Sequence, residues 1–377
     1  MIVQQRIPTW QEVESQVSVE TLTDIPANSL NRRRDSARIL EKLNDRLDQL
    51  AKFESYDPHS VPHAPFKTNY KVKHVLQAHS QKPEVSWVLC LGTLSDGRVV
   101  SGHADNQVRV WTQQDEQWSH VCLKQHEAKV VGLQVLPDDR IVTASSDGCV
   151  CIWSELEKGR WENESFISST EGLYCFQALD DGRIVTGAND GVRIWKAPVF
   201  GTWGCVDMVT EDLRVRSLHV LPNRSILVGA ESAGVNIYKL RAWSDWSIEH
   251  LDEYDGTVYC VQGLPNGEIF SGGGDSSLLH WSKTQTGLWE RELVNTSLSL
   301  RLESPTSSLR VLRDGRVVTP MNAHDIGIWS KIDFEEWKCE KLSGHTAPVE
   351  CLRVLSDGRI LSGGKDSSVI IWDGDAA

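Results

Sequence analysis

An aromatic residue that closes a short β-branched run recurs along this chain, at Trp111, Trp153, Trp195, Tyr238, Trp281, Trp329 and Trp372. The intervals are 42, 42, 43, 43, 48 and 43 residues. A second series follows seven or eight residues behind the first, at Trp118, Trp161, Trp203, Trp246, Trp289 and Trp337. Within each interval lie apolar runs separated by turn residues. In the last, Val349–Leu355, Arg359–Ser362 and Ser368–Trp372 are divided by Ser356-Asp357-Gly358 and Gly363-Gly364-Lys365-Asp366. Alternating apolar residues bounded by Asp-Gly signal consecutive antiparallel strands. With the second aromatic opening a fourth strand, four strands in every 40–45 residues or so make the blade of a propeller.

The ends of the chain set the number of blades. Only five residues follow Trp372, too few for the seventh unit's fourth strand. Asn69–His79 (NYKVKHVLQAH) parallels Gln117–His126 (QWSHVCLKQH) and fills that place. Laid on the last sheet, it closes the ring and removes an exposed edge. The expected fold is therefore all-β: a seven-bladed β-propeller over residues 68–377, closed by an N-terminal strand and preceded by a short α-helical N-terminal extension, 1–67.

Within that extension Asp35 is placed to cap a helix over 35–53. Leu40, Leu43, Leu47 and Leu50 form its apolar stripe, which either packs on the rest of the protein or makes an oligomer or partner contact. Pro58, Pro62 and Pro65 mark the Pro-containing linker that follows.

The last repeat resembles the WD-repeat (WD40) family, through Gly344-His345 at its start, Asp366 in its turn and Trp372-Asp373 at its end. The resemblance runs over residues 70–372, in seven divergent repeats. It implies buried hydrogen-bonded tetrads at His345, Ser362, Asp366 and Trp372, and at His126, Thr143, Asp147 and Trp153. His79, Ser101, Asp105 and Trp111 form a third candidate set. Blades three to six lack the His, and blade four has Val228 and Tyr238 in place of the hydroxyl and indole.

The nine cysteines look like chemistry until they are aligned. Five residues before each turn stand Cys90, Gly132, Cys175, Ser217, Cys260, Ser308 and Cys351, all small. Buried free Cys behaves as a small hydrophobe, so these read as packing positions. Cys149 and Cys151 share a strand face with no other ligand apparent nearby, so no metal is expected. No nucleophile elbow, phosphate loop or HExxH motif occurs. The expectation is no enzyme, no catalytic residues and no cofactor.

A net charge of −13 opposes a general nucleic-acid binder. No apolar run approaches the length of a membrane span, no secretory signal is visible at the N-terminus, and no CxxC pair occurs. A cytoplasmic, reducing compartment is expected, with neither nucleic acid nor membrane as partner.

Function is then expected on the surface. The residue seven before the turn is apolar in most repeats (Val88, Val130, Leu173, Val215, Val258 and Val349), so its neighbours face elsewhere. They include Trp87, Lys129, Tyr174, Arg214, Arg216, Tyr259 and Glu350, and the residue before the turn Asp adds Lys365. Aromatics with Arg resemble an interaction hot spot, and basic residues in an acidic protein point to an acidic or phosphorylated peptide. The bland alternative is that the tyrosines pack inside the channel and the charges are scattered. The leading reading is a non-enzymatic scaffold or adaptor that binds a protein or peptide on one propeller face. The alternative is a substrate receptor of a ubiquitin-ligase-type or other multi-subunit complex, docked through the N-terminal helix. Against it, the family's Trp-Asp-x-Arg box is absent, since Trp372-Asp373-Gly374 is followed by Asp375. The recurring Asp-Gly-Arg turns resemble bacterial WD-repeat proteins, which implies a host-directed effector as a further setting.

Overall fold

The structure, a computed structural model, describes residues 67–77, 86–115, 117–167, 172–197, 203–210, 213–242, 245–251, 256–275, 277–294, 308–321, 324–332 and 336–376. All lie within one compact unit, Pro62–Ala377. The expected helix over 35–53, its Leu40, Leu43, Leu47 and Leu50 stripe and the linker fall outside the described residues.

Among the described residues, twenty-eight strands form seven antiparallel four-stranded sheets. In six of them the strands follow in chain order, from the axis outward. In the seventh, Lys67–Gln77 lies beside Ser368–Ala376, with Val72 opposite Trp372 and Leu76 opposite Val369. The fold is a seven-bladed propeller whose ring is closed by strand exchange.

The core lies between blades. Each of the seven buried apolar clusters is shared by two neighbours, and Val88, Trp111, Cys351, Leu361 and Ile371 join blade seven to blade one. The small residues of the innermost strands have a direct cause. Cys90 Sγ lies 3.7 Å from the carbonyl oxygen of Val130, and a Cβ on Gly102 would meet Cys90 Sγ at 2.4 Å and Val130 Cγ1 at 2.7 Å. The valine of the next blade fills that space. Burial pushes the Cys260 thiol up to about 12 and the Cys90 and Cys351 thiols well above their ordinary value, so these groups stay protonated.

The Asp-Gly-Arg turns are local clamps. In the turn at Asp357, one carboxylate oxygen accepts the amide of Arg359 at 3.0 Å and the other its Nε at 2.7 Å. Gly358 sits between them at φ 84°, where a Cβ would be strained. The same clamp joins Asp96 to Arg98, Asp181 to Arg183 and Asp314 to Arg316.

Candidate interaction face

A bulge builds the face. The ladder between innermost and second strands shifts register after Val88, Val130, Leu173, Val215, Val258 and Val349. A bulged residue loses its partner and its side chain is re-aimed. Here those residues are Leu89, Val131, Tyr174, Arg216, Tyr259 and Glu350, and all six line an axial channel of about 450 Å³. The tyrosines are thus at the channel wall, as the bland reading had them, but they are half-buried and not sealed within it.

Residues two positions before these stand outside the channel. Trp87 is 38% exposed, and Lys129 and Arg214 are exposed. Their carbonyls accept the amide of the residue before the next turn's Asp position. Ala104 N reaches Trp87 O at 2.9 Å, Ser146 N reaches Lys129 O at 3.0 Å, and Glu231 N reaches Arg214 O at 2.9 Å. Lys365 N meets Pro348 O in the same way at 2.8 Å. These bonds put Lys365 and Glu231 in equivalent places.

Two cations clamp two of the aromatics. Arg216 lies 4.1 Å over the Tyr174 ring and Lys365 lies 4.9 Å over the Trp87 ring. The cations are partly neutralised: Lys365 pairs with Glu350 at 3.0 Å, and Glu231 pairs with both Arg216 and Arg214. Hydrogen bonding by Arg216 holds the Glu231 carboxyl below its ordinary range, and also lowers Tyr174. Lys129 has no carboxylate partner among the described residues.

Glu231 and two channel cations escaped the sequence reading. Blade four has Ser232 where the turn Asp belongs, so nothing marked Glu231 as the counterpart of Lys365. Arg310 and Arg353 stand two positions after the small residues Ser308 and Cys351, and both line the channel. The same position in other blades carries Gln134, Gln177 and His219. Gln134 bonds both backbone groups of Ala178, Gln177 accepts from Val220 N, and His219 Nδ1 accepts from Gly263 N. Period-2 alternation past the small position would have found the ring. In blades six and seven that blade-to-blade ladder gives way to guanidinium groups.

Behind the face lie the histidines. In blade seven, His345 Nε2 is 2.7 Å from Ser362 Oγ, His345 Nδ1 is 2.9 Å from Asp366, and Trp372 Nε1 donates to Ser362 at 2.7 Å. Burial pushes the Asp366 carboxyl upward, yet hydrogen bonds from His345 and Ser368 outweigh it and hold the group well below the usual range. Blade two keeps His126, Thr143 and Trp153 joined, at 2.8 and 2.9 Å. Its fourth expected member departs: Asp147 accepts backbone amides of Glu127, Ala128 and Cys149 and not the imidazole.

In blade one the histidine on Ser101 is His103, at 2.7 Å, and Asp105 pairs with Arg109. This corrects the third set, because a histidine two residues from the serine reaches it across the same strand face; His79 lies outside the described residues. Indole–hydroxyl bonds persist in blades three, five and six, from Trp195 to Thr186, Trp281 to Ser271 and Trp329 to Thr319. A second correction concerns Cys149 and Cys151. They do have a ligand beside them, since His126 crosses from the preceding loop to lie with both sulfurs.

The WD40 repeat family, described as "WD domain, G-beta repeat", matches residues 70–112, 118–154 and 337–373. The chain is a seven-bladed β-propeller in which three stretches match the WD40 repeat. The three matched stretches hold Trp111, Trp153 and Trp372, the indoles whose hydroxyl partner also meets a histidine. The WD40 β-propeller domain of Doa1, seen in a crystal structure, is similar in fold. It has a TM-score of 0.65 at 17% identity, over 82% of this chain and 98% of that one. No curated protein sequence matches the chain significantly. Among the described residues of this propeller, no helix is long and apolar enough to cross a membrane.

Buried histidines make folding pH-dependent. Burial, with Arg109 nearby, lowers His103 to about 3, and burial with Arg310 lowers His219 to about 4. Both are neutral when folded but take a proton when unfolded below about pH 6.5. The unfolded state then binds more protons, so stability is full above that pH and falls as pH drops toward the folded values. Each group adds a slope approaching about 1.4 kcal/mol per pH unit within that window. Urea unfolding at about pH 7 and about pH 5 is expected to give a shallower dependence for His103→Gln than for the wild type. An unchanged slope would exclude His103 as a source.

Proposed function

We propose that this propeller is a non-enzymatic protein-interaction module that takes an acidic or phosphorylated peptide segment at the mouth of its channel. The observation that carries the reading is the pair of cation-clamped aromatics, Arg216 on Tyr174 and Lys365 on Trp87. A ring held by a cation is already ordered, so binding loses less side-chain freedom. Aromatics and Arg are also the side chains on which interface energy concentrates. Lys129 and Arg214 are exposed beside them, and Arg310 and Arg353 lie within the channel. Against these four and Arg216, the channel lining offers Glu350, and Glu231 pairs with Arg214 and Arg216. The surplus is cationic on a chain of net charge −13, which favours an acidic partner by local complementarity.

An array of acidic, phosphorylated and basic peptides is the test. The wild type is expected to retain acidic or phosphorylated members and not basic ones. Arg214→Ala with Lys129→Ala is expected to weaken binding with a reduced salt dependence, while Trp87→Ala weakens it at every salt concentration. Retention of the same peptides by all these variants would remove this face from consideration.

A further inference from the structure

Blade two differs from blade seven at two positions facing its buried histidine. Blade seven has Ser368 and Ile370 in its third strand, where blade two has Cys149 and Cys151. Two residues apart on a strand, the cysteines project from one face. Their Sγ atoms are 3.9 Å apart, and Cys151 Sγ is 3.9 Å from His126 Nδ1. All three donor atoms lie within 4.8 Å of one another. In blade seven the matching nitrogen is taken by Asp366 at 2.9 Å. In blade two Asp147 has turned to backbone amides, and the nitrogen faces sulfur.

We propose that His126, Cys149 and Cys151 form a three-ligand binding site for a thiophilic divalent cation of the zinc class. Tetrahedral zinc with bonds of about 2.3 Å to sulfur and about 2.0 Å to nitrogen sets sulfurs about 3.8 Å apart and nitrogen about 3.6 Å from sulfur. The two 3.9 Å separations lie within a few tenths of an ångström of these values, and Cys149 Sγ and His126 Nδ1, within 4.8 Å of each other, close further by rotation of the half-buried Cys149 side chain. Loading displaces two thiol protons to solvent, and the two thiolates then cancel the charge of the dication. That neutrality matters because His126 and Cys151 are buried and Cys149 half-buried.

The surrounding hydrogen bonds fit this role. Nδ1 can bind a metal only when the ring proton is on Nε2. Thr143 Oγ1 lies 2.8 Å from Nε2 and also accepts from Trp153 Nε1 at 2.9 Å. A hydroxyl oxygen has two lone pairs and receives both donors. Such a partner fixes the tautomer and ring orientation of a ligating histidine. A disulfide suits the pair less well: Cα atoms two apart on an extended strand are about 6.6 Å apart, near the limit for that bond. Three protein ligands leave a fourth position for water.

Cobalt(II), a coloured stand-in for zinc, is titrated into the reduced full chain. One equivalent is expected to bind with thiolate-to-metal charge-transfer bands, and one equivalent of zinc is expected to bleach them. Cys149→Ser places there the residue blade seven uses, so the fold should hold, with an unchanged circular dichroism spectrum and loss of the bands. Cys205→Ser, at the one exposed cysteine among the described residues, is expected to keep them. Absence of charge-transfer bands in the wild type, or their survival in Cys149→Ser, would overturn the site.

Discussion

A chain lacking residues 1–77 is expected to lose its cooperative unfolding transition and to aggregate on size-exclusion chromatography. The strand Lys67–Gln77 supplies the outer edge of blade seven, and its loss bares the ladder along Ser368–Ala376. Leu76 is 1% exposed and Tyr70 6%. Each such side chain contributes about 1.5–3 kcal/mol by burial. Removing the strand also uncovers Val369, Ile370 and Ile371, which are buried against it and against the neighbouring blades.

Polar ties are lost with it. Lys67 and Lys73 both pair with Asp373, Tyr70 donates to the Gly358 carbonyl at 2.9 Å, and Arg316 reaches the Lys67 carbonyl. The Asp373 carboxyl is pushed up by burial but held at about 2 by the two lysines. Together these losses approach the whole stability of an ordinary domain, about 5–15 kcal/mol. An unpaired, apolar edge strand then recruits further copies. The single change Leu76→Ala, which leaves the strand in place, is expected to cost about 2–5 kcal/mol in urea unfolding. A monomeric truncated chain with the wild-type transition would show that the ring does not depend on this strand.

That closing strand was legible because it obeys the period: residues 69–79 repeat the pattern of 117–126 from the far end of the chain. The small positions were legible for the same reason, since Cys90, Cys260 and Cys351 align with Gly132 and Ser217. What the period hides are contacts that cross it. Glu231 lies in a turn without its Asp, so only the backbone bond to Arg214 reveals its register. The bulge after Val349 puts Glu350 on the channel wall beside Arg353, a displacement that strict alternation does not contain. His126 meets Cys149 and Cys151 from the loop before blade two, and His103 does from within its own strand what a loop histidine does in blade seven. Repeats encode the frame, and the deviations from it take their partners from elsewhere.

The hydroxyl at the centre of blade seven is where deleting one atom should cost most. Trp372 Nε1 donates to Ser362 Oγ, whose own proton is directed at His345 Nε2, while His345 Nδ1 donates to Asp366. Ser362→Ala removes one oxygen and leaves two buried polar atoms, the indole N–H and the imidazole nitrogen, without partners. Each orphaned group costs about 1–3 kcal/mol, so a loss of about 2–6 kcal/mol is expected in denaturant unfolding. In blade three the comparable change, Thr186→Val, removes a hydroxyl that, of the tetrad partners among the described residues, accepts from the Trp195 indole alone, and a loss of about 1–3 kcal/mol is expected. Blade four already has Val228 there with Tyr238 in place of Trp, so no donor waits for a hydroxyl. The ordering Ser362→Ala above Thr186→Val follows from counting stranded groups, because both changes remove one hydroxyl and barely alter volume. Equal losses at the two sites would mean that His345 draws nothing from Ser362, and that the buried chain in blade seven adds no stability beyond its indole–hydroxyl bond.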